Sequence, residues 1–374
     1  MRERERALVR KYPLIDLEVV TARRWNEGSK NVQAANDELF RVIAAETWPV
    51  EHVTSFAYNP FTIIDALRNH RPHLIDIHQE PYSLASAQIL ATASLIVPDA
   101  TVIVFTAQNI LKRYPPPFSM FEQYAYAKAA AIYPCSTSVL EVVRAKAFHK
   151  PCPIIPFGVD ISAFQQRSAW PSPDATPTIG YVGRMVQPKG ILLLARALRQ
   201  LKDLDWKLLL IGDGPDLPLL MQELGESGLL DRTTSVGSVD YNSIPGYFRQ
   251  MDLMIMPTIT TNRVREQFGR VLVEAMASGV CVAGSTCGAI PEVIGDAGVV
   301  FPENDETALA AKIRPLLLDG NLRERYARMG RARVEQHFTW DKVAEQTYKL
   351  YCQVLGLHQP SRTRKWEAAP AVCY

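Results

Sequence analysis

The chain has 374 residues, with 41 Lys plus Arg, 39 Asp plus Glu and 47% hydrophobic residues. This length is sufficient for two hydrophobic cores, and the composition excludes an intrinsically disordered protein. The formal net charge of +2 gives no overall attraction to nucleic acid or to an anionic membrane, so any partner has to be identified from particular sites.

The first half of the chain alternates short β-rich runs with helical patterns. A basic helical stretch over 2–11 comes first, and the apolar spacing predicts further helices over 31–46 and 61–69. Strands are predicted over 15–21, 53–57, 74–78, 102–106 and 131–134. Such alternation is typical of parallel sheets connected by crossover helices.

A second alternating series begins at Thr178. Its predicted strands are 179–183, 206–211, 234–236, 253–256 and 281–283. Its predicted helices are 190–201, 217–227, 243–249 and 269–278, with two more at 306–319 and 340–355. The fold class is therefore predicted to be α/β, with two Rossmann-like doubly wound parallel-sheet domains.

Composition places the domain boundaries. The segment 161–177 contains Pro171, Pro173 and Pro177 and is predicted to be the linker, with the cleft beside it. It separates an N-terminal acceptor-side domain, 1–160, from a donor-binding domain, 178–338. A C-terminal helix over 339–356 is expected to pack back on the N-terminal domain, and 357–374 reads as a loose tail.

Neither targeting nor metal-binding patterns are present in the sequence. The six cysteines have no paired short spacing, which predicts free thiols rather than a disulfide framework or a zinc site. The longest apolar stretch, 89–107, is interrupted by Pro98 and Asp99, and the basic start does not resemble a signal peptide. We expect a soluble, cytoplasmic protein without a metal or cofactor.

Two glutamates, Glu266 and Glu274, lie on either side of a predicted helix start at Phe268 and Gly269. A helix start attracts phosphate through its N–H groups and dipole. At 1.5 Å per residue the two carboxylates are about 12 Å apart, which is comparable to the distance between the sugar and the ribose of a nucleotide diphosphate sugar. A capping glutamate plus a solvated one is the alternative interpretation.

A second motif runs from Gly183 to Gly190, where a strand leads into a helix. Arg184 and Lys189 are predicted to lie at the carboxyl edge of a parallel strand, where doubly wound sheets bind ligands. Two cations at that edge can neutralise a departing diphosphate without a metal. A polar loop with no ligand is the alternative.

Together the motifs of the second half resemble the donor-binding domain of the group 1 (family 4) glycosyltransferases of the GT-B fold. The resemblance covers about 153–338. It is carried by 181–184 with 189–190, 210–215, 236–239, 252–257, the Glu266 to Glu274 pair, 277–279 and 291–294, which occur in the family's order.

This resemblance implies a transferase that moves a glycosyl group from a nucleotide diphosphate sugar to an acceptor, with retention of configuration and without a metal. It implies that Arg184 and Lys189 contact the diphosphate, beside Gly183. Glu274 is implied to bind the ribose and Glu266 to lie beside the donor sugar. Phe268, Gly269 and Arg270 are implied to form the helix start that faces the phosphates and sugar hydroxyls.

The acceptor side resembles the family less closely. His78 and Glu80 follow one strand, and Gln108 and Asn109 follow another, where many members carry a histidine. His78 is either a catalytic group or a buried, hydrogen-bonded histidine, whereas Glu80 either binds acceptor hydroxyls or caps the following helix. The acceptor is expected to be a carbohydrate or a lipid-linked sugar.

The start of the chain differs from the family pattern. The first strand and its glycine-rich loop are missing, so we expect a truncated or divergent entry, exposed apolar sheet edges and reduced or absent turnover. The basic residues of 2–11, with Lys112, Arg113 and Tyr114, suggest peripheral contact with the inner face of a membrane, although a solvated helix face is the preferred interpretation.

The leading hypothesis is thus a retaining glycosyltransferase of polysaccharide, glycolipid or glycoconjugate assembly, with no nucleic-acid partner. One alternative is a GT-B protein that binds a nucleotide sugar but has lost catalysis. Another is a nucleotide-sugar epimerase or phosphorylase on the same scaffold, because fold alone does not define the reaction.

Overall fold

The computed structural model describes residues 2–27, 30–49, 54–357 and 371–373. The chain divides into two compact units, one formed by Met1–Pro156 with Val343–Tyr374 and the other by Phe157–Lys342. Each unit is built on a six-stranded parallel sheet with helices connecting its strands. The predicted α/β class with two Rossmann-like domains is confirmed.

The first unit contains most of the short strands. Its elements are α1 (Glu3–Lys11), β1 (Asp16–Ala22), β2 (Arg24–Glu27), β3 (Lys30–Gln33), β4 (Arg41–Ala45), β5 (Thr47–Trp48), β6 (Ala57–Tyr58), α2 (Pro60–His70), β7 (Leu74–Ile77), α3 (Leu84–Ile96), β8 (Thr101–Thr106), α4 (Phe118–Lys128), β9 (Ala131–Pro134), α5 (Thr137–Ala145) and, at the end of the chain, β16 (Ala371–Cys373).

The second unit repeats a regular strand–helix alternation. Its elements are β10 (Thr178–Val182), α6 (Ile191–Arg199), β11 (Lys207–Ile211), α7 (Leu217–Glu226), β12 (Thr233–Gly237), α8 (Ile244–Phe248), β13 (Leu253–Met256), α9 (Arg270–Ala277), β14 (Cys281–Ser285), α10 (Ile290–Ile294), β15 (Val299–Phe301), α11 (Glu306–Leu318) and α12 (Gly320–His337), after which α13 (Trp340–Val354) leads back to the first unit.

The sheet of the first unit has the order β4-β1-β16-β7-β8-β9. Its central position, which we expected to be empty, holds β16 in parallel register with both β1 and β7. The expectation of exposed central edges is therefore wrong, and 371–373 is not part of a loose tail. A three-residue strand has no recognisable periodicity, so its pairing partners alone define it.

The predicted helix over 31–46 is also wrong. This stretch contains β3, a loop and β4, and β4 pairs in parallel with β1 from Glu18↔Arg41 to Ala22↔Ala45. The β-branched pair Val42 and Ile43 favours that strand, and pairing with β1 outweighs the apolar spacing. In the predicted strand 53–57, residue 53 lies outside the described residues and β6 begins only at Ala57.

The predicted linker, 161–177, belongs to the second unit instead. Phe164 is 1% exposed and packs against Phe248, and Arg167 forms an ion pair with Asp252 at 2.8 Å. The same guanidinium donates to the Met251 carbonyl. The prolines led to a predicted linker, but the aromatic and arginine side chains of the same segment pack into the second unit.

The sheet of the second unit has the order β12-β11-β10-β13-β14-β15. The order changes direction between β10 and β13, which pair directly at Ile179↔Leu253 and Gly180↔Met254. The loops after these two strands therefore lie side by side at the carboxyl edge, where doubly wound sheets bind ligands. In the described part of the chain, no helix is both long and apolar enough to cross a bilayer.

We expect the central position of the first sheet to depend on β16. Val372→Pro removes a backbone donor from a strand paired on both sides, so hydrogen exchange in β1 and β7 should become faster. Exchange in β10 and β13 of the second unit serves as the internal control. Mass spectrometry of peptides resolves the two sheets, and unchanged protection of β1 and β7 would contradict the assignment.

Candidate functional site

A cavity of about 370 Å³ lies in the second unit at the carboxyl ends of β10 and β13. Six of the residues predicted from the sequence line it: Gly183, Lys189, Glu266, Phe268, Gly269 and Arg270. The loop after β10 and the loop before α9 thus meet around one cavity, as expected for strands that are neighbours at the switch in strand order.

An ion pair crosses this cavity. The Lys189 Nζ lies 2.7 Å from the Glu266 Oε2, and the side chains are 26% and 14% exposed. Lys189 ends a short 3₁₀ turn, Gln187–Lys189, and Glu266 belongs to the loop between β13 and α9. Each charge offsets much of the other's burial, because an unpaired charge in such surroundings is costly.

The first turn of α9 forms another part of the lining. Gly269 precedes the helix with φ 85°, a backbone conformation that favours glycine, and Arg270 and Val271 open the helix at the cavity. Phe268 is 4% exposed and packs edge-on against Phe157 and Phe338. A firmly packed helix start therefore directs its positive dipole end toward the cavity.

Residues that the sequence did not single out hold the loop of Glu266. Its backbone N–H donates to the Cys287 Sγ at 3.4 Å, and the Thr260 hydroxyl oxygen lies 3.3 Å from the same sulfur. Glu303 accepts from both the Thr260 N–H and its hydroxyl. Burial raises the pKa of the Cys287 thiol, so it serves as a neutral acceptor at neutral pH.

Arg184 is placed differently from Lys189. Its side chain is exposed and is not among the residues that line the cavity, although its carbonyl accepts a hydrogen bond from the Tyr181 hydroxyl at 2.8 Å. Tyr181 itself does line the cavity, and burial raises the pKa of its phenol. Of the two cations predicted for this site, Lys189 lines the cavity and Arg184 does not.

Glu274 is the fifth residue of α9 and is 8% exposed. The Tyr241 hydroxyl donates to its Oε1 at 2.9 Å, and the Arg270 Nη2 is 3.8 Å from the same oxygen. Burial raises the pKa of this carboxyl, although Arg270 and the Tyr241 hydrogen bond oppose that rise. Glu266 and Glu274 thus occupy different surroundings, because only Glu266 lines the cavity of the ion pair.

In the first unit, His78 follows β7, and its ring stacks on Phe105 at a centroid distance of 4.1 Å. Solvent still reaches the side chain, so the buried alternative is wrong. Its crowded surroundings disfavour the charged form and Arg4 adds repulsion, which together lower the pKa of His78 well below the usual range. The imidazole is therefore neutral at neutral pH.

Glu80 connects the ends of β7 and β8. Its carboxylate accepts from the Thr106 hydroxyl at 2.7 Å and from the Ala107 N–H at 2.9 Å. The capping alternative is wrong, because the side chain that caps α3 is Ser83. Burial raises the pKa of Glu80, and these two hydrogen bonds oppose the rise.

Gln108 and Asn109 lie in the loop after β8. The Gln108 amide donates to the Tyr114 hydroxyl at 3.1 Å and accepts from the Ile110 N–H at 3.0 Å. Asn109 is 3% exposed. The acceptor-side candidates therefore lie at the carboxyl ends of two adjacent strands, and Gln108 stabilises the loop in which it lies.

Asp76 on β7 is a buried acid that the sequence did not distinguish as a site. It accepts from the Tyr133 hydroxyl at 2.5 Å and from the Tyr351 hydroxyl at 2.9 Å, and Arg4 lies 3.6 Å away. Burial raises the pKa of Asp76 to about 6. This network ties α1 and α13 to the sheet of the first unit.

Among the residues that the structure describes, no three His, Cys, Asp or Glu side chains come together closely enough to hold a metal ion. The positive charge around the cavity in the second unit comes instead from Lys189 and from the start of α9.

Most of the second unit is similar to known proteins. Residues 162–333 match the family model of glycosyl transferases group 1. An N-acetyl-alpha-D-glucosaminyl L-malate synthase of Bacillus anthracis is 34% identical over 155 residues, 41% of this chain and 39% of the relative. A phosphatidyl-myo-inositol mannosyltransferase of Mycobacterium leprae is 33% identical over 206 residues, 53% of this chain and 52% of the relative. This chain thus spans about half or less of these relatives.

Solved structures support the fold across both units. A sucrose-phosphate synthase from Thermosynechococcus elongatus superposes with a TM-score of 0.70 at 20% identity, covering 95% of this chain and 92% of that chain. HepE from Anabaena in complex with UDP gives a TM-score of 0.64 at 19% identity, covering 79% of this chain and 82% of that chain.

The fold is therefore the GT-B fold, with two Rossmann-like domains. Residues 162–333 match the group 1 glycosyltransferase model, so the resemblance predicted from the motifs of the second half is confirmed.

The raised pKa of Asp76 predicts a pH-dependent stability. The folded state binds this proton more tightly than the unfolded state, whose pKa is near 3.8. The free energy of unfolding should therefore fall by up to about 3 kcal/mol as the pH rises from 4 to 7. Urea unfolding across this range should show a flatter dependence in Asp76→Asn and an unchanged one in the exposed control Asp65→Asn. An unchanged dependence in Asp76→Asn would contradict the assignment.

Gly288 is expected to be irreplaceable beside the Glu266 loop. A Cβ at this position would lie 2.0 Å from the Glu266 carbonyl oxygen, and the backbone φ is +58°. Gly228 has φ +69°, and a Cβ there would have no atom within 4 Å. It is therefore a matched control for the cost of placing alanine in a left-handed backbone conformation. Gly288→Ala should lower the unfolding free energy by roughly 1–3 kcal/mol more than Gly228→Ala, measured by urea unfolding. Equal losses would contradict the close approach.

Proposed function

We propose that this protein is a retaining glycosyltransferase that transfers a glycosyl group from a nucleotide diphosphate sugar to an acceptor hydroxyl. The observation that carries the proposal is the Lys189–Glu266 pair beside the start of α9, within the group 1 domain. The cation and the helix start suit a negatively charged diphosphate, and the carboxylate suits the positive charge that develops on the sugar.

Lys189 and the first turn of α9 are proposed to bind the diphosphate, with Arg184 approaching from its exposed position. As the bond between the anomeric carbon and the diphosphate oxygen breaks, negative charge grows on the departing phosphate. Fixed positive groups stabilise that charge without reorganising. We therefore propose that the reaction needs neither a metal ion nor another cofactor.

Glu266 is proposed to lie beside the donor sugar. Its carboxylate can stabilise the positive charge that develops at the anomeric carbon, while the acceptor oxygen forms the new bond on the face that the diphosphate leaves. The hydroxyl proton then passes to the departing diphosphate. The hydrogen bond to Cys287 and the close approach of Gly288 fix the Glu266 backbone for this role.

Relatives support the classes of donor and acceptor. HepE was crystallised with UDP and with UDP-glucose, which favours a nucleotide sugar, and Glu274 is proposed to bind its ribose. The mannosyltransferase relative is named for phosphatidyl-myo-inositol, which favours a sugar or lipid-linked acceptor. We propose His78, Glu80, Gln108 and Asn109 on the acceptor side, with peripheral contact of Lys112 and Arg113 at a membrane.

A second candidate is a nucleotide-sugar-binding protein that has lost catalysis. Gln108 and Asn109 stand where many members of the family carry a histidine, and the Gln108 amide is engaged within its own loop. This candidate predicts nucleotide binding without turnover in the unmodified protein.

Release of nucleoside diphosphate tests the proposal. The protein should be incubated with UDP-, GDP- and ADP-linked hexoses, first with water and then with simple glycosides as acceptors. With the preferred donor, Glu266→Gln should lower kcat roughly 10²- to 10³-fold while nucleotide affinity changes little, because the charge acts mainly in the transition state. Lys189→Met should weaken both nucleotide binding and turnover.

Glu226→Gln is the matched control, because Glu226 lies on α7 of the same unit and accepts only from Gln222 in the described structure. NMR of the glycoside product reports its anomeric configuration. An inverted product would contradict retention, and nucleotide binding with no turnover in the parent protein would favour the second candidate.

A further inference from the structure

Tyr241 stands beside the carboxylate that is proposed to bind ribose. It begins a short 3₁₀ turn, Tyr241–Ser243, after β12, and its ring packs edge-on against Phe164 at 5.8 Å. Its hydroxyl donates to the Glu274 Oε1 at 2.9 Å. The phenol is thus held at both its ring and its hydroxyl, although the residue is 39% exposed.

The two oxygens of Glu274 differ in their surroundings. Both of its contacts, the Tyr241 hydroxyl and the Arg270 guanidinium, are made to Oε1. No hydrogen bond from the described residues reaches Oε2, although the residue is only 8% exposed. Oε2 shares the carboxylate charge, so it is well suited to accept a hydrogen bond from a ligand hydroxyl.

We propose that Tyr241 is a positioning residue for nucleotide recognition, which fixes Glu274 so that its Oε2 accepts a hydrogen bond from a ribose hydroxyl. This inference rests on the proposed function and names a residue that acts within it. A neutral phenol suits the task, because it fixes the carboxylate without neutralising the charge that strengthens the bond to the hydroxyl.

Loss of the phenolic hydroxyl would change the orientation of the carboxylate. In Tyr241→Phe the ring and its packing on Phe164 remain, but Oε1 loses its hydrogen bond. Arg270, now 3.8 Å away, would then be the remaining partner and would draw the carboxylate toward the helix surface. The loss of binding affinity should therefore be seen for a ligand that carries the ribose hydroxyl and should be small for one that lacks it.

Nucleotide pairs that differ by one hydroxyl provide the test. Calorimetry should give Kd values of the wild type for UDP, GDP and ADP, each with its 2′-deoxy and 3′-deoxy counterpart. Loss of the recognised hydroxyl should weaken wild-type binding roughly 10- to 100-fold. Tyr241→Phe should weaken binding of the parent nucleotide about 10-fold and that of its deoxy counterpart less than about 3-fold.

Tyr247→Phe on α8 is the matched control and should leave both constants unchanged. The ratio of the two Kd values is measured on one protein, so a reduced folded fraction does not affect it. Glu274→Gln should lower the ratio as Tyr241→Phe does. The inference is overturned if Tyr241→Phe weakens the binding of both nucleotides equally, or if the wild type shows no preference for either hydroxyl. In both cases the nucleotide still binds, so the proposed function stands. Failure of every nucleotide to bind overturns the proposed function as well.

Discussion

The ion pair between Lys189 and Glu266 is the interaction on which the candidate site depends. It joins the loop after β10 to the loop before α9, and these loops are neighbours because β10 and β13 pair directly where the strand order changes direction. Without a partner, either charge would favour a conformation open to solvent. The pair therefore keeps both groups at the cavity, where the start of α9 adds a further positive potential.

Close packing restricts Glu266 from its other side. Cys287 accepts from its N–H, Ala289 donates to its carbonyl at 3.0 Å, and the absence of a Cβ at Gly288 permits that approach. These contacts fix the backbone, whereas Lys189 fixes only the side chain. A ligand that attracts Lys189 can therefore release the carboxylate without moving the loop, which is the kind of preorganisation that electrostatic catalysis needs.

The second unit was more predictable than the first for a physical reason. Strands such as β13, and the helix α9 to within one residue at each end, follow from local apolar patterns and from turn residues. The first unit depends on pairing between distant segments, which made β4 look helical and hid β16. The site shows the same division: Lys189 and Glu266 belong to recognisable motifs, but Cys287 and Tyr241 act through contacts that only the folded chain creates.

The two carboxylates beside α9 differ in their hydrogen-bond partners, and under the proposed function this difference would separate the diphosphate from the ribose of a nucleotide sugar. Glu266 is paired with a cation that an incoming diphosphate can share, so the pair can exchange partners as charge moves in the reaction. Glu274 accepts its hydrogen bond from a neutral phenol, with the Arg270 guanidinium 3.8 Å from the same oxygen, and its other oxygen is available to a hydroxyl donor. A nucleotide placed in reverse would bring its phosphates to the wrong carboxylate. Under the proposed function, electrostatics would therefore favour one orientation of the nucleotide along the helix.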